Sequence, residues 1–112
     1  MIKLILFLYF APTTKNVETW CNFYEVHHSE IVVRQFALET GWGKSYNCRV
    51  RNNLFGLVKP KGGYFVFNHW SESILAYKNK VQYKYKEGEG YYNFLERIGY
   101  ASAENYIKTL KQ

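Results

Sequence analysis

The residues best suited to chemistry in this chain are Ala37-Leu38-Glu39-Thr40-Gly41-Trp42-Gly43-Lys44-Ser45, with Asn52-Asn53-Leu54-Phe55-Gly56 soon after. Glu39 ends an apolar stretch and is followed by two glycines and a tryptophan. A negative charge at a helix C-terminus is opposed by the macrodipole, and desolvation by Trp42 and neighbouring rings opposes ionisation as well. Both effects favour a carboxyl that keeps its proton at neutral pH. A general acid needs that state, and cleavage of a glycosidic bond is a common use of it. Arg34, Lys44, Arg49 and Arg51 are the basic groups able to oppose this by pairing with Glu39. The plain alternative for a lone glutamate is a surface salt bridge. Gly41 and Gly43 argue against it, because they remove side chains beside the carboxylate and read as room for a ligand.

Holding that carboxyl in place requires a helix, and the periodicity supplies one. Ser29 suits its N-cap and Glu30 its first turn, while Val32, Val33, Phe36 and Ala37 form its buried stripe. Gly41 suits the left-handed residue that ends it. Before it, Val17, Trp20, Cys21 and Tyr24 recur at helical spacing after Thr13-Thr14. After it, residues 54–58 and 64–67 read as two short strands around the turn Lys59-Pro60-Lys61-Gly62-Gly63. Ser71 is the expected cap of a third helix carrying Ile74, Tyr77, Val81 and Tyr85. A fourth holds Tyr91, Phe94, Leu95 and Ile98 and stops at Gly99, and Ser102 caps a last short one with Tyr106 and Leu110. With no repeat, linker or low-complexity tract, the expectation is one α+β domain over 1–112, mainly helical with a short β-hairpin lobe.

Composition narrows the function classes. A chain of 112 residues with 47% hydrophobic and 20% aromatic content buries a real core and is not a disordered tail. Eleven tyrosines suit half-wet grooves that stack on sugars or bases, and a net charge of +6 suits an anionic partner. The densest basic stretch, Lys78 to Lys86, reads as a solvated helix face. All nine acidic residues are glutamates, and none lies between Lys44 and Trp70. Cys21 and Cys48 lack metal-ligand spacing; one disulfide and two buried free thiols both remain open. His27, His28 and His69 read as structural or surface residues, and neither a metal nor a cofactor is expected. Met1 to Ala11 is basic, then apolar, then small. It reads equally as a short signal-like segment or an N-terminal core element, and it is too short to span a bilayer.

Four stretches carry a resemblance. The run Ile31 to Ser45 resembles the catalytic helix of the bacterial glucosaminidase family, which includes flagellar and autolysin-type peptidoglycan hydrolases. Asn52-Asn53-Leu54-Phe55-Gly56 is similar to that family's second signature, and Phe67 to Ile74 resembles the lead into its next helix. Leu95-Glu96-Arg97-Ile98-Gly99-Tyr100-Ala101-Ser102 is similar to its closing signature. The four occur in family order and cover about Trp20 to Leu110. The resemblance implies a lysozyme-like fold and endo-β-N-acetylglucosaminidase cleavage of the β-1,4 glycan strand of peptidoglycan. It makes Glu39 the general acid and Tyr100 the residue that orients water or the 2-acetamido group. Asn53 then ties the hairpin to the cleft or contacts sugar, Trp42 is a wall residue of the substrate site or a sugar platform, and Tyr64, Phe67 and Trp70 offer stacking surfaces or core rings.

The hairpin departs from the family pattern. Many members carry a second carboxylate there, within about 5 to 10 Å of the acid, where this chain has only Lys59 to Tyr64. Glu72 is the nearest later candidate, although its place behind Ser71 suits a helix N-terminus. The departure leaves substrate assistance by the acetamido group, or a single-acid route of the lytic-transglycosylase or lysozyme-like kind. A glycan-binding module without turnover, and a basic nucleic-acid-binding domain that lacks any aromatic-basic signature, are the competing classes. The expected setting is a monomer acting on the glycan strand, extracytoplasmic at the cell wall or phage-associated, with no nucleic-acid partner and no stable membrane insertion.

Overall fold

The computed structural model describes residues 11–101 and 105–112. Among them it is mostly helical, with no sheet. Helix α1 (Thr14–Phe23) begins where the Thr13 hydroxyl accepts the Asn16 amide proton, and it buries Val17, Trp20 and Cys21. Helix α2 (Ser29–Thr40) buries Ile31, Val32, Gln35, Phe36, Ala37 and Thr40. The short α3 (Tyr46–Arg49) is capped by Ser45, whose hydroxyl accepts from the Cys48 amide. Helix α4 (Trp70–Lys80) leads into a 3-10 turn (Gln82–Lys84), followed by α5 (Tyr91–Arg97) and α6 (Asn105–Lys111). Helix α1 packs on α2 and α4, while α2 also meets α3 and α6. Phe36, Leu54, Ile74, Tyr77, Tyr91 and Phe94 form the centre of one continuous apolar core.

Several expected boundaries move for identifiable reasons. Ser29 is the first residue of α2 and not its cap; left-handed His28 (φ 51°) precedes it, and the Ser29 hydroxyl bonds Asn22. Helix α4 starts at Trp70 with His69 as its cap, where the Ser71 amide donates to His69 Nδ1. It stops at Lys80 and does not reach Tyr85. There the Gln82 side chain pairs with both backbone groups of His27, which turns the chain toward the α1–α2 corner. Gly41 ends α2 in the left-handed region (φ 57°), as expected. The segment before Ala11 and the expected cap at Ser102 lie outside the described residues.

The expected hairpin of two strands reduces to a single antiparallel bridge, Val58 to Tyr64. Val58 and Val66 are exposed on one face, and Leu57, Phe65 and Phe67 on the other are only half-buried, so a longer ladder would gain little from burial. Two backbone bonds, from the Phe65 amide to the Leu57 carbonyl and from the Lys59 amide to the Gly63 carbonyl, cross the loop, and one side chain adds the rest. Asn53 donates through Nδ2 to the carbonyls of Leu57 and Phe65 (2.9 and 3.0 Å) and accepts the Leu57 amide proton at Oδ1 (3.0 Å). Fully buried, it takes the bonds a neighbouring strand would have made. At the base of the excursion the Asn52 side chain donates to the Phe67 carbonyl and the Phe67 amide to Arg51.

Candidate active site

Glu39 occupies the last turn of α2, and the turn after it is held by its neighbour. The Thr40 hydroxyl donates to the Phe36 carbonyl and accepts from the Gly43 amide at 2.7 Å, while the Lys44 and Ser45 amides converge on the Thr40 carbonyl. Gly43 has φ 88°, and a Cβ there would come within 3.1 Å of the Pro12 carbonyl oxygen. The space vacated at Gly43 is therefore taken by the N-terminal segment and by Phe36, not by a ligand. Gly41 is required for its backbone conformation, since nothing lies within 4 Å of where its Cβ would be. The room beside Glu39 has another origin. A cleft of about 540 Å³ opens between the end of α2, the Asn53–Val58 segment, the end of α4 and Tyr100. Among the described residues, Glu39 is the single acidic one in its lining and Lys80 the single basic one.

Two phenols address the carboxyl. The Tyr106 hydroxyl donates to Glu39 Oε1 at 3.2 Å, and the Tyr100 hydroxyl lies 3.5 Å from both Glu39 Oε2 and the Phe55 carbonyl oxygen. Burial is the dominant influence on Glu39 and pushes its pKa from the ordinary 4.5 to about 8, while bonds from Tyr106 and Tyr100 partly offset it. The desolvating surroundings are not supplied by Trp42, which is 70% exposed and lines a separate groove with Leu38 and Leu110. None of the four basic candidates forms an ion pair with Glu39 among the described residues. Arg34 donates to the Tyr92 hydroxyl, and Arg51 donates to Asn47 with its guanidinium between the rings of Tyr46 and Tyr64. Both phenols are made harder to ionise by burial first and by the neighbouring carboxylate second.

A half-buried, proton-retaining carboxyl at a helix end, flanked by tyrosine and facing an open cleft, is the arrangement a glycoside-cleaving acid needs. The glucosaminidase family model, described as mannosyl-glycoprotein endo-beta-N-acetylglucosaminidase, matches residues 15–112. The chain belongs to the glucosaminidase family. No curated protein and no solved structure gives a significant match to it. Membership brings the general character of a glycoside hydrolase that degrades peptidoglycan of the cell wall.

Against this family frame, the sequence-derived site residues separate into groups. Glu39, Tyr100, Asn53 and Tyr64 all line the cleft. Asn53 is spent on the loop backbone, so it ties the loop and has no free amide for sugar. Trp70 is 4% exposed and packs edge-on against Trp20 at 6.5 Å, which makes it a core ring and not a stacking surface. Phe67 stacks on Phe65 at 6.0 Å outside the cleft lining. Glu72 accepts the His69 amide proton at 2.7 Å in a capping box, and it does not line the cleft. Cys21 and Cys48 are free, buried thiols, pushed up to about 12 and about 11 by desolvation.

Two contributors escaped the sequence reading. Tyr106 reads there only as a residue of the last short helix, and Gln35 carries no role there at all. Their bonds span 67 residues for Tyr106 to Glu39 and 71 for Gln35 to Tyr106. The available signal was local: a glutamine on the buried stripe of a helix needs a polar partner somewhere.

Proposed function

We propose that this glucosaminidase is an endo-β-N-acetylglucosaminidase that cleaves the β-1,4 bond of the peptidoglycan glycan strand, with Glu39 as its general acid. The observation that carries the reading is the Glu39 carboxyl, protonated up to about pH 8 and open to a cleft between two phenolic donors. In the first step Glu39 gives its proton to the glycosidic oxygen as the C1–O bond breaks and the leaving sugar departs as an alcohol. The positive charge arising at C1 needs an electron pair. Among the described residues the cleft lining offers no second carboxylate to supply it, and the 2-acetamido carbonyl oxygen of the substrate bonds C1 instead. Water then opens that ring, and the Glu39 carboxylate takes its proton. Tyr100, with one hydroxyl proton within reach of two acceptors, can turn to Glu39 as the carboxylate forms.

A second reading rests on the same lone acid. An internal sugar hydroxyl in place of water would yield an anhydro end, as lytic transglycosylases do. One chain carries the acid and both phenols, so a monomer suffices. Because its polymer lies outside the cytoplasmic membrane, the enzyme works there or is carried to the wall by a phage.

Digestion of purified peptidoglycan by wild type and by Glu39→Gln, followed by borohydride reduction and mass spectrometry, tests the reading. Reduced N-acetylglucosamine ends from wild type only are expected. The variant should cleave at least about 100-fold more slowly, the usual scale of a general acid. Anhydro-muramyl ends would move the protein to the transglycosylase route. Equal yields from both proteins, or no new ends from either, would remove Glu39 or catalysis from the account.

A further inference from the structure

Behind Glu39 lies a line of buried polar groups that the cleavage chemistry does not use. Its far end is anchored on backbone, where donor and acceptor identities are not in question. The His27 amide donates to Gln82 Oε1 at 2.9 Å, and Gln82 Nε2 donates to the His27 carbonyl at 2.7 Å. That pairing fixes the orientation of the Gln82 amide. Its second Nε2 proton goes to the Tyr91 oxygen at 2.8 Å. Tyr91 and Tyr77 oxygens are 2.6 Å apart, and Tyr77 donates to Gln35 Oε1. One proton per phenol then settles the link between them, with Tyr91 donating to Tyr77. Gln35, with its oxygen facing Tyr77, directs Nε2 to the Tyr106 oxygen at 3.2 Å. With that oxygen accepting from Gln35, the Tyr106 proton points to Glu39 Oε1.

Every donor in the line therefore faces the same way. We propose that Tyr106, oriented by the Gln35–Tyr77–Tyr91–Gln82 relay, is a positioning residue that confines the acid proton of Glu39 to Oε2, the oxygen on the Tyr100 side. A phenol free to rotate can accept from a carboxylic acid as readily as donate to it, and the acid proton would then sit on Oε1, turned away from Tyr100. The relay removes that alternative. It also explains why a fully buried glutamine stands one turn before Glu39, and why two fully buried tyrosines meet at their hydroxyls. The inference rests on Glu39 being the acid, and it assigns the C-terminal helix a part in the site.

The groups facing Glu39 are Tyr100 from the segment after α5 and Tyr106 from α6, with Tyr91 of α5 and Tyr77 of α4 behind them. Lys80, at the end of α4, lines the same cleft. The test is the Glu39 titration midpoint, read by carboxyl carbon-13 NMR without substrate and assigned by its loss in Glu39→Gln. Tyr106→Phe keeps the ring and removes the donor, so the midpoint should rise by about one pH unit. The kcat for peptidoglycan should fall roughly tenfold with KM little changed, as expected when proton delivery alone is impaired. In Tyr77→Phe the Gln35 amide loses its anchor and can present its oxygen to Tyr106, drawing that proton off Glu39. The midpoint should rise there too, although Tyr106 is intact. Tyr92→Phe removes a hydroxyl bonded to Arg34 outside the line, and its midpoint should match wild type.

An unchanged midpoint in Tyr106→Phe would overturn the proposal. So would a rise in that variant with none in Tyr77→Phe, since Tyr106 would then act without the relay. Because the midpoint is read without substrate, it remains informative even if peptidoglycan cleavage proves independent of Glu39.

Discussion

If burial holds the Glu39 proton, the same burial must weaken the fold whenever that proton leaves, and Glu39→Gln should release the strain. The folded-state pKa is raised from the ordinary 4.5 to about 8, so between those values the folded chain binds more protons than the unfolded one. Stability therefore falls as pH rises through that window and levels off above it. At about 1.4 kcal/mol per pH unit, the interval sets a ceiling of about 5 kcal/mol on the weakening. The Tyr106 hydroxyl can still donate to the glutamine oxygen, whereas the amide nitrogen then stands on the Tyr100 side and its protons need acceptors in a half-buried site. Allowing for that, Glu39→Gln should be more stable than wild type by about 2 to 4 kcal/mol at about pH 9 and nearly equal to it at about pH 4. Urea unfolding of both proteins at the two pH values measures this, and the difference of differences cancels every other titrating group. A stability gap of the same size at both values would refute the reasoning, because it would mean that Glu39 titrates alike in folded and unfolded chains. A gap confined to high pH would tie the loss of cleavage to the residue that also limits stability.

Two further substitutions test how the cleft is built. Asn53→Ala removes three hydrogen bonds to the Leu57–Phe65 loop, and it should destabilise the fold by about 2 to 4 kcal/mol in urea unfolding and speed tryptic cleavage after Lys61. An unaltered unfolding midpoint and proteolysis rate would contradict the account of how this loop is held. Glu72→Ala removes half of the α4 capping box and should cost about 1 kcal/mol of stability while leaving peptidoglycan cleavage within about twofold. A fall of a hundredfold or more, measured on protein that unfolds normally, would instead make Glu72 the missing second carboxylate.

Much of the architecture was legible because it depends on short-range physics. The apolar stripe of α2, its end at Gly41, the stop after α5 at Gly99 and the buried faces of α1 and α4 all follow from helical spacing and from glycine's access to positive φ. The hairpin was misread for a related reason. Alternating apolar residues around a Gly-Pro turn look the same whether or not a neighbouring layer exists to bury one face. Here Val58 and Val66 face solvent, and Asn53 takes the bonds that a neighbouring strand would have made. The caps moved by one or two residues because His28 adopts a left-handed backbone and His69 caps through its ring nitrogen, neither of which composition announces.

For the site, the chain order alone placed Glu39 at a helix end, with Gly41 terminating the helix, and supplied the four ordered stretches that point to the family. Those are local or linear properties, carried by neighbours along the backbone. What only the tertiary structure decided is why Glu39 keeps its proton. Its burial does not come from the adjacent Trp42, which faces solvent; the groups that meet the carboxyl are Tyr100 and Tyr106, brought from more than sixty positions away by the packing of α5 and α6, and their hydroxyls offset part of the effect of that burial. A carboxyl's proton affinity is set by whatever surrounds it within a few ångströms, and in a folded chain that neighbourhood is assembled from residues that sequence order keeps far apart.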